Sequence, residues 1–318
     1  MKILAVLLLA LSAQTAQADG DALSWLERIH MATQKLSYTG TFVYRSGDQS
    51  ETSRIVHIVG RNGTRERLET LDGHLREIVR NGDEVKCYLP DSMTVKVDKQ
   101  TGQKVFPALL PENLQDIGDH YDARVGAIGR VAGYDSRLIV LRPKDELRYG
   151  RKLWADVKTG MLLKSQTLNH KDEPIEQFAF TQIQIGGKID RDQLKPKFRA
   201  ASRTWNIENS SAVAASLAAS GWTINPELPG FRKVTEMKRT QGGSTEVGHV
   251  IYSDGLAAVS VFIEPMAGKT SQPPRGLSHQ GAINIFSRQI ADHLVTVVGE
   301  APAASVKALA ESVEYRKP

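Results

Sequence analysis

The sequence has almost no cysteine, and this absence limits what can stabilise the fold. Cys87 is the one cysteine among 318 residues, so the chain forms no internal disulfide. No histidine or second cysteine stands near it at metal-ligand spacing, which favours a small, half-buried thiol over a reactive or metal-binding one. Stability must therefore come from hydrophobic cores, and the chain is long enough for two domains.

The sequence motifs of common catalytic and metal sites are also absent. The eight histidines form no H-x-x-x-H pair, and neither a G-x-S-x-G elbow nor a G-x-x-x-x-G-K phosphate loop occurs. The adjacent carboxylates at 145–146 and 172–173 stand beside prolines in predicted loops, which do not shield them as general acid catalysis requires. We predict a protein that binds other molecules without catalysis, and without a metal or cofactor.

Long apolar runs and strong charge are missing as well. Beyond the N-terminus no segment is apolar enough to span a membrane, and no basic stripe interleaved with aromatics indicates nucleic-acid binding. Without Lys2 there are 40 Lys and Arg against 36 Asp and Glu; residues 206–318 carry ten of each, so residues 19–205 hold the excess of +4. This mild excess suits an anionic envelope partner, although a solvated surface of mixed charge is more common.

The N-terminus has the order of a secretion signal. Lys2 precedes an apolar run from Ile3 to Leu11, and the small residues Ala16 and Ala18 follow at the spacing that a signal peptidase recognises. We predict that residues 1–18 are a signal peptide and that the mature protein is a soluble protein of the periplasm.

The pattern of apolar residues predicts a mainly β chain. A helix is expected at 21–36, and from Tyr38 the period changes to two. Asn81-Gly82 is a strong hairpin signal because both turn positions need a positive φ. A short helix is predicted at 111–118. Strands are predicted at 38–45, 51–59, 64–71, 74–80, 84–89, 92–98, 121–130, 135–142, 149–157, 161–168 and 174–185.

These strands predict a large antiparallel half-barrel closed by helices, over residues 19–187. Residues 188–212 have little periodicity and are predicted to be a linker. Residues 213–318 are predicted to form a smaller α+β domain. It contains an Ala-rich helix over 212–220, strands that include 257–264, a mobile loop at 267–281 and a last helix that Pro302 opens.

A curved sheet has a concave face, which can hold acyl chains where side chains do not fill it. Ordinary core packing is the more common role of any one strand aromatic. The candidate lipid-binding residues are Phe42, Tyr44, Ile78, Tyr88, Leu89, Val95, Trp154, Leu162, Phe178 and Phe180.

Several segments carry a family resemblance when they are taken in order along the chain. They are Tyr38–Tyr44, Leu75–Pro90, Tyr134–Thr167 with Arg151-Lys152-Leu153-Trp154, Gln177–Thr181, Tyr252–Leu256, Ser260–Glu264 and Ala291–Glu300. With these segments the chain resembles the RseB/MucB regulators of the envelope-stress sigma factor. The resemblance covers essentially the whole mature chain.

The resemblance implies an N-terminal domain similar to lipoprotein carrier proteins. It also implies binding to the periplasmic part of an RseA/MucA-like membrane anti-sigma factor, shielding of that factor from a site-1 protease, and release by lipopolysaccharide or lipoprotein acyl chains. The partner surface is expected on the C-terminal domain and the interdomain cleft. Whether the protein forms homo-oligomers is left open by the sequence. Ordinary domain core or an exposed surface position is the more common role of any one such residue. The candidate partner-binding residues are Phe231, Arg232, Tyr252, Phe262 and Ile263.

Two other functions stay open at this point. A lipid or lipoprotein carrier would explain residues 19–186 and leave the C-terminal domain unassigned. An unrecognised hydrolase would need a buried cluster of histidine or carboxylate side chains.

Overall fold

The computed structural model of the protein describes residues 22–61, 63–99, 114, 117–199, 201–241, 245–266 and 275–317. The predicted signal peptide 1–18 and most of the predicted helix at 111–118 lie outside these residues. The first helix, α1, covers residues 22–35 and buries Leu26 and Ile29, as its apolar spacing predicts.

The N-terminal half is built from strands that follow one another along the chain. Turns with positive φ join them where the sequence predicts, for example at Gly82 (φ 60°) and Gly160 (φ 77°). The elements are β1 Tyr38–Ser46, β2 Gln49–Gly60, β3 Gly63–Thr70, β4 Glu77–Asn81, β5 Glu84–Leu89, β6 Thr94–Lys99, α2 Ile117–His120, β7 Tyr121–Val131, β8 Tyr134–Pro143, β9 Gly150–Asp156, β10 Leu162–Leu168 and β11 Pro174–Ile185.

These strands form one antiparallel sheet in the order β7-β8-β9-β10-β11-β1-β2-β3-β4-β5-β6. Helix α1 packs on one side of it, which we call the inner face; the opposite side is the outer face. Because side chains alternate along each strand, the register assigns every strand residue to one face. The buried inner-face residues beside α1 are Tyr121, Ala123, Ile139, Leu141, Leu153, Ala155 and Leu162.

The C-terminal half has its own sheet and core. Its elements are β12 Asn206–Ala214, β13 Trp222–Ile224, β14 Arg232–Gln241, β15 Thr245–Ser253, β16 Ala258–Pro265, β17 Gly276–Gln280, β18 Ile283–Ile290, β19 His293–Gly299, α3 Ala303–Glu311 and β20 Val313–Tyr315. The main sheet has the order β12-β14-β15-β16-β19-β18-β17, and β13 pairs with β20. Helix α3 packs on it through Val306 and Leu309.

Strand β12 belongs to both halves. Residues 206–210 pair in parallel with β6, and residues 211–214 pair antiparallel with β14. The predicted linker 188–212 therefore contains part of a shared strand, after 3₁₀ turns at Arg191–Leu194 and Ala201–Thr204.

Two predictions of local structure are wrong. The Ala-rich helix expected over 212–220 is the end of β12 followed by a 3₁₀ turn at Leu217–Ser220, because pairing with β14 outweighs the helix propensity of alanine. The predicted loop at 267–281 is a strand from Gly276, since β17 pairs with β18. Residues 267–274 of that loop lie outside the described residues.

The predicted fold class is confirmed. The chain is mainly β, with a large antiparallel sheet that α1 covers and a smaller C-terminal α+β unit. No helix within the described ranges has both the length and the apolar character that crossing a membrane requires.

Candidate functional site

An aromatic cluster fills the middle of the inner face. The ring centroids of Phe42 and Phe178 are 4.9 Å apart, and those of Phe178 and Phe180 are 5.1 Å apart. Tyr38 joins them at 6.1 Å from Phe180, with the rings edge to face. All four residues are buried, so the cluster is packed by its own rings.

The strand register separates the ten candidate lipid-binding residues into groups. Phe42, Phe178 and Phe180 form the aromatic cluster, and Tyr44 packs on it. Leu162 lies beneath α1. Ile78 and Leu89 share the inner face nearer the β6 edge. By the alternation of each strand, Tyr88, Val95 and Trp154 lie on the outer face, away from the cluster.

The chain after β11 crosses the outer face of β3 and β4. The buried carboxylate of Glu77 accepts hydrogen bonds from the backbone N–H groups of Lys197 (3.1 Å) and Phe198 (3.4 Å), and it also pairs with Arg67. The Arg67 guanidinium donates to the carbonyl of Gln193 at 3.1 Å. This part of the predicted linker is therefore fixed to the N-terminal sheet.

Arg148 is the centre of the contact between the two halves. Its side chain is fully buried in the segment between β8 and β9, and Nε donates to Asp254 of the C-terminal half at 2.7 Å. Asp254 is equally buried and accepts from the hydroxyl of Tyr121 at 3.1 Å. The guanidinium also donates to the Pro229 carbonyl and lies 4.9 Å from the ring centre of Phe231.

A second ionic cluster lies beside it and contains two carboxylates for one guanidinium. Arg151 donates to Glu300 at 2.7 Å and to the Thr167 hydroxyl at 2.8 Å. Burial, and then the charge of Glu300, raise the pKa of Glu176 to about 7. Burial and the Glu176 charge also raise the pKa of the Tyr44 hydroxyl, which hydrogen-bonds to Glu176. The interdomain contact thus contains a carboxyl group that titrates near neutral pH.

A cavity of about 250 Å³ lies where β12 joins the C-terminal sheet. Phe262 forms part of its wall and stacks on His249, with ring centroids 4.3 Å apart. Burial, and then the charge of Arg239, lower the pKa of His249 to about 4, so this ring is neutral at pH 7. The lining residues are Ser210, Arg239, Thr240, Val247, Phe262 and Glu264.

The five candidate partner-binding residues do not share one surface. Phe262 lines the junction cavity, whereas Ile263 points to the other face of the sheet and borders a cavity of about 160 Å³. Phe231 and Tyr252 are buried in the C-terminal core. Arg232 is exposed at the start of β14.

The described residues give no support to a metal or thiol site. They contain no group of three or more His, Cys, Asp or Glu side chains that could hold a metal ion. Cys87 is half-buried, and this burial raises the pKa of its thiol, which keeps it in its less reactive protonated form.

Comparison with protein families decides the relationship. The family model of the MucB/RseB N-terminal domain matches residues 21–198, and that of the MucB/RseB C-terminal domain matches residues 216–314. The chain belongs to the MucB/RseB family. The resemblance found in the sequence is thereby confirmed.

Members of the MucB/RseB family match the chain over nearly its whole length. The sigma factor AlgU regulatory protein MucB of Pseudomonas aeruginosa is 33% identical over 316 residues, which cover 98% of this chain and 96% of MucB. The sigma-E factor regulatory protein RseB of Haemophilus influenzae is 26% identical, over 97% of this chain and 96% of RseB. The crystal structure of MucB in complex with MucA(peri) matches with a TM-score of 0.70 and 30% identity, over 93% of this chain and 100% of MucB there.

Sequence reasoning did not find the residues that join the two halves of this MucB/RseB family member. Arg148, Asp254 and Glu300 lie in loops or at a strand end, where no periodicity marks a buried position. The sequence around Pro143 indicated a solvated loop. Only the tertiary contact shows that this loop enters the C-terminal half.

Proposed function

We propose that this protein binds the periplasmic region of a membrane anti-sigma factor, and thereby restrains stress transcription by a sigma-E-type factor. The observation that carries the proposal is the match of both halves, in order, to MucB, which has been solved in complex with MucA(peri). The action proposed is binding without catalysis, in which the bound protein shields the anti-sigma factor from its site-1 protease. The predicted N-terminal secretion signal supports a site of action in the periplasm.

The junction cavity has the chemistry of a peptide site. Phe262 and Val247 supply apolar wall, while Arg239 and Glu264 supply opposite charges beside it. Apolar contacts at the centre and charges at the rim are typical of sites that hold one anchoring side chain of a partner. We assign the anti-sigma peptide to this cavity, with Phe262 as its principal contact.

Lipid release is proposed to act through the inner face. Because the rings of Phe42, Phe178 and Phe180 pack on one another, an acyl chain must separate them to enter. Tyr44 connects this cluster to Glu176, which lies at the interdomain contact. An acylated ligand that favours separated rings would shift the interdomain arrangement, and it acts only by its difference in affinity for the two states.

Calorimetry of the mature protein with the periplasmic region of a MucA-like anti-sigma factor tests the proposal. We expect 1:1 binding, and Phe262→Ala should weaken it at least tenfold, as for a central apolar contact (about 1.4 kcal/mol or more). Leu277→Ala is the control, because Leu277 is 53% exposed on β17. Substitution is preferable to deletion of the C-terminal half, which would also remove the strand that pairs with β6.

Three results would contradict parts of this proposal. If the wild-type protein binds no anti-sigma region, the function is refuted. If Phe262→Ala binds as tightly as wild type, the cavity is not the site. If an acylated ligand and the peptide bind simultaneously and independently, lipids do not act by competition.

A further inference from the structure

The middle of the outer face of strands β7 to β11 and β1 is not buried by any other described part of the chain. At the middle of each of these strands the outer-face residues are half-buried or exposed, and none is buried. The inner face of the same strands is buried beneath α1 or in the aromatic cluster. One side of the sheet is thus core, and the other is an open surface made of strands.

Two rows of residues cross this surface, and neither contains an acidic residue. The first row, read by register, is Arg124, Val140, Lys152, Gln166, Gln177 and Arg45. The second row is Leu138, Trp154, Lys164, Ala179 and Val43. With strands about 4.8 Å apart, the first row extends over roughly 24 Å.

The positive charges in these rows are uncompensated. Within the described chain, no carboxylate lies within 4.0 Å of Arg45, Arg124, Lys152 or Lys164, whereas cations at the strand ends do pair, such as Arg142 with Asp172. Burial, and then repulsion from Lys152, lower the pKa of Lys164, which is consistent with two neighbouring ammonium groups without a counter-ion.

Trp154 gives this surface an amphipathic character. Its ring is half-buried, and the Lys164 ammonium lies 4.5 Å from the ring centre. Tryptophan favours the boundary between lipid headgroups and acyl chains, and Lys and Arg beside it favour anionic headgroups. The leucine and valines of the two rows add apolar area at the same level.

We propose that Arg45, Arg124, Lys152, Trp154 and Lys164, which we call the outer basic face, dock the protein on an anionic phospholipid bilayer. Charge complementarity identifies this occupant: two adjoining rows with several cations outside any ion pair, a tryptophan and no acidic residue match a sheet of phosphates better than they match a single small anion. The function inferred from the family does not include this contact, which uses the opposite side of the sheet from the aromatic cluster.

Docking in this orientation leaves the other sites accessible. The inner face is the other side of the same sheet, and the junction cavity lies at β12, next to the β6 edge, so the protein can hold a membrane-anchored partner while it lies on the bilayer. Each Lys or Arg near an anionic bilayer strengthens attachment by about fivefold, so these four cations together contribute roughly 10²- to 10³-fold.

Vesicle co-sedimentation of the full mature protein tests the proposal. Vesicles of phosphatidylcholine with phosphatidylglycerol should bind the protein, and vesicles of phosphatidylcholine alone should not. Binding should weaken when ionic strength rises from about 0.1 M to about 1 M, because the Debye length falls from about 10 Å to about 3 Å. Lys152→Gln/Lys164→Gln should weaken binding about 25-fold.

Matched variants separate this surface from general charge. Lys195→Gln/Lys307→Gln removes the same charge from other exposed sites and should bind like wild type. Lys152→Arg/Lys164→Arg should restore binding, which shows that any loss in the Gln variant is due to charge and not to folding. Equal binding to neutral and anionic vesicles, or unchanged binding of the Gln variant, would overturn the proposal. So would binding of this face to an acidic protein with no binding to anionic vesicles.

Discussion

At the scale of single residues, the ionic groups between the two halves are the least expected feature. A buried charge is costly unless it is paired, and Arg148 with Asp254 satisfies this condition. The neighbouring cluster is not balanced in this way. It has one guanidinium, that of Arg151, for the two carboxylates of Glu176 and Glu300. Burial first, and then the charge of Glu300, raise the pKa of Glu176 to about 7, so this carboxyl group takes up a proton as the pH falls below neutral.

Glu176→Gln should remove a pH dependence of stability. The folded-state pKa of Glu176 is raised above its ordinary value of 4.5, so the folded state holds the proton more tightly. The contribution of Glu176 to the free energy of unfolding is therefore fully present below about pH 4.5, and it is lost as the pH rises through about 7. A change of the pKa from 4.5 to about 7 corresponds to about 3 kcal/mol. Urea unfolding from pH 5 to about pH 8 measures it.

The other groups that face Glu176 are Glu300, Arg151 and the hydroxyl of Tyr44. Gln keeps the shape of the protonated acid, so the variant should resemble the wild type at low pH and exceed its stability at high pH. Glu27→Gln, at an exposed position of α1, is the control and should follow the wild-type curve. Parallel pH curves for wild type and Glu176→Gln would contradict the assignment.

Sequence alone predicts only some of these residues. The aromatic residues of β1 and β11 were identified because they stand in strong alternating strands, and the cluster they form follows from the pairing of Phe42 with Phe180. Trp154 carries the same strand pattern as these residues, because a period of two does not reveal which face of the sheet is inside. The outer basic face is not predicted from the sequence, because its cations are far apart along the chain and only the strand register aligns them.

At the scale of elements, the packing between β1 and β11 depends on a missing side chain. A Cβ atom at Gly40 would lie 2.6 Å from the carbonyl oxygen of Gln182 and 2.9 Å from Cε1 of Phe180. Because the neighbours are backbone on one side and a buried ring on the other, neither can move far enough to accommodate a methyl group at position 40.

Gly40→Ala should therefore destabilise the N-terminal sheet by about 1–3 kcal/mol, the usual cost of overpacking. Gly129→Ala is the matched control, since its Cβ would meet no atom within 4 Å and its φ is not positive. Urea unfolding followed by tyrosine and tryptophan fluorescence measures both variants. Equal stability of Gly40→Ala and Gly129→Ala would show that β1 and β11 are less tightly packed than the structure indicates.

The elements that the sequence predicts well are those that local pattern determines. The strands of the N-terminal meander pair with their neighbours in the chain, apart from β1 with β11, so alternation and turn residues were sufficient. Strand β12 was missed because its partners β6 and β14 lie on either side of the domain boundary. Its Ala, Ser and Asn residues carry no strand signal without those partners.

At the scale of the whole molecule, the contacts between the halves include two of different kinds, besides the ion pair of Arg151 with Glu300. One is the continuous backbone pairing of β6, β12 and β14. The other is the segment between β8 and β9, where Leu147 packs on the C-terminal core and its carbonyl accepts from Ser305 at 2.7 Å. The first still joins the halves if the second is broken, so a ligand-driven change of domain orientation would act through the second.

Arg148→Ala should weaken the second connection and leave the first. The variant leaves the buried Asp254 carboxylate without its cation, and such a loss costs about 3–5 kcal/mol. We expect a lower urea midpoint and, by small-angle X-ray scattering, a larger radius of gyration with strand content unchanged by circular dichroism. Arg142→Ala is the control: its ion pair with Asp172 is 3.7 Å long and exposed, so the cost should stay below about 1 kcal/mol. A compact Arg148→Ala variant of wild-type stability would mean that β12 alone fixes the domain orientation, and that the lipid signal must reach the partner site by another route.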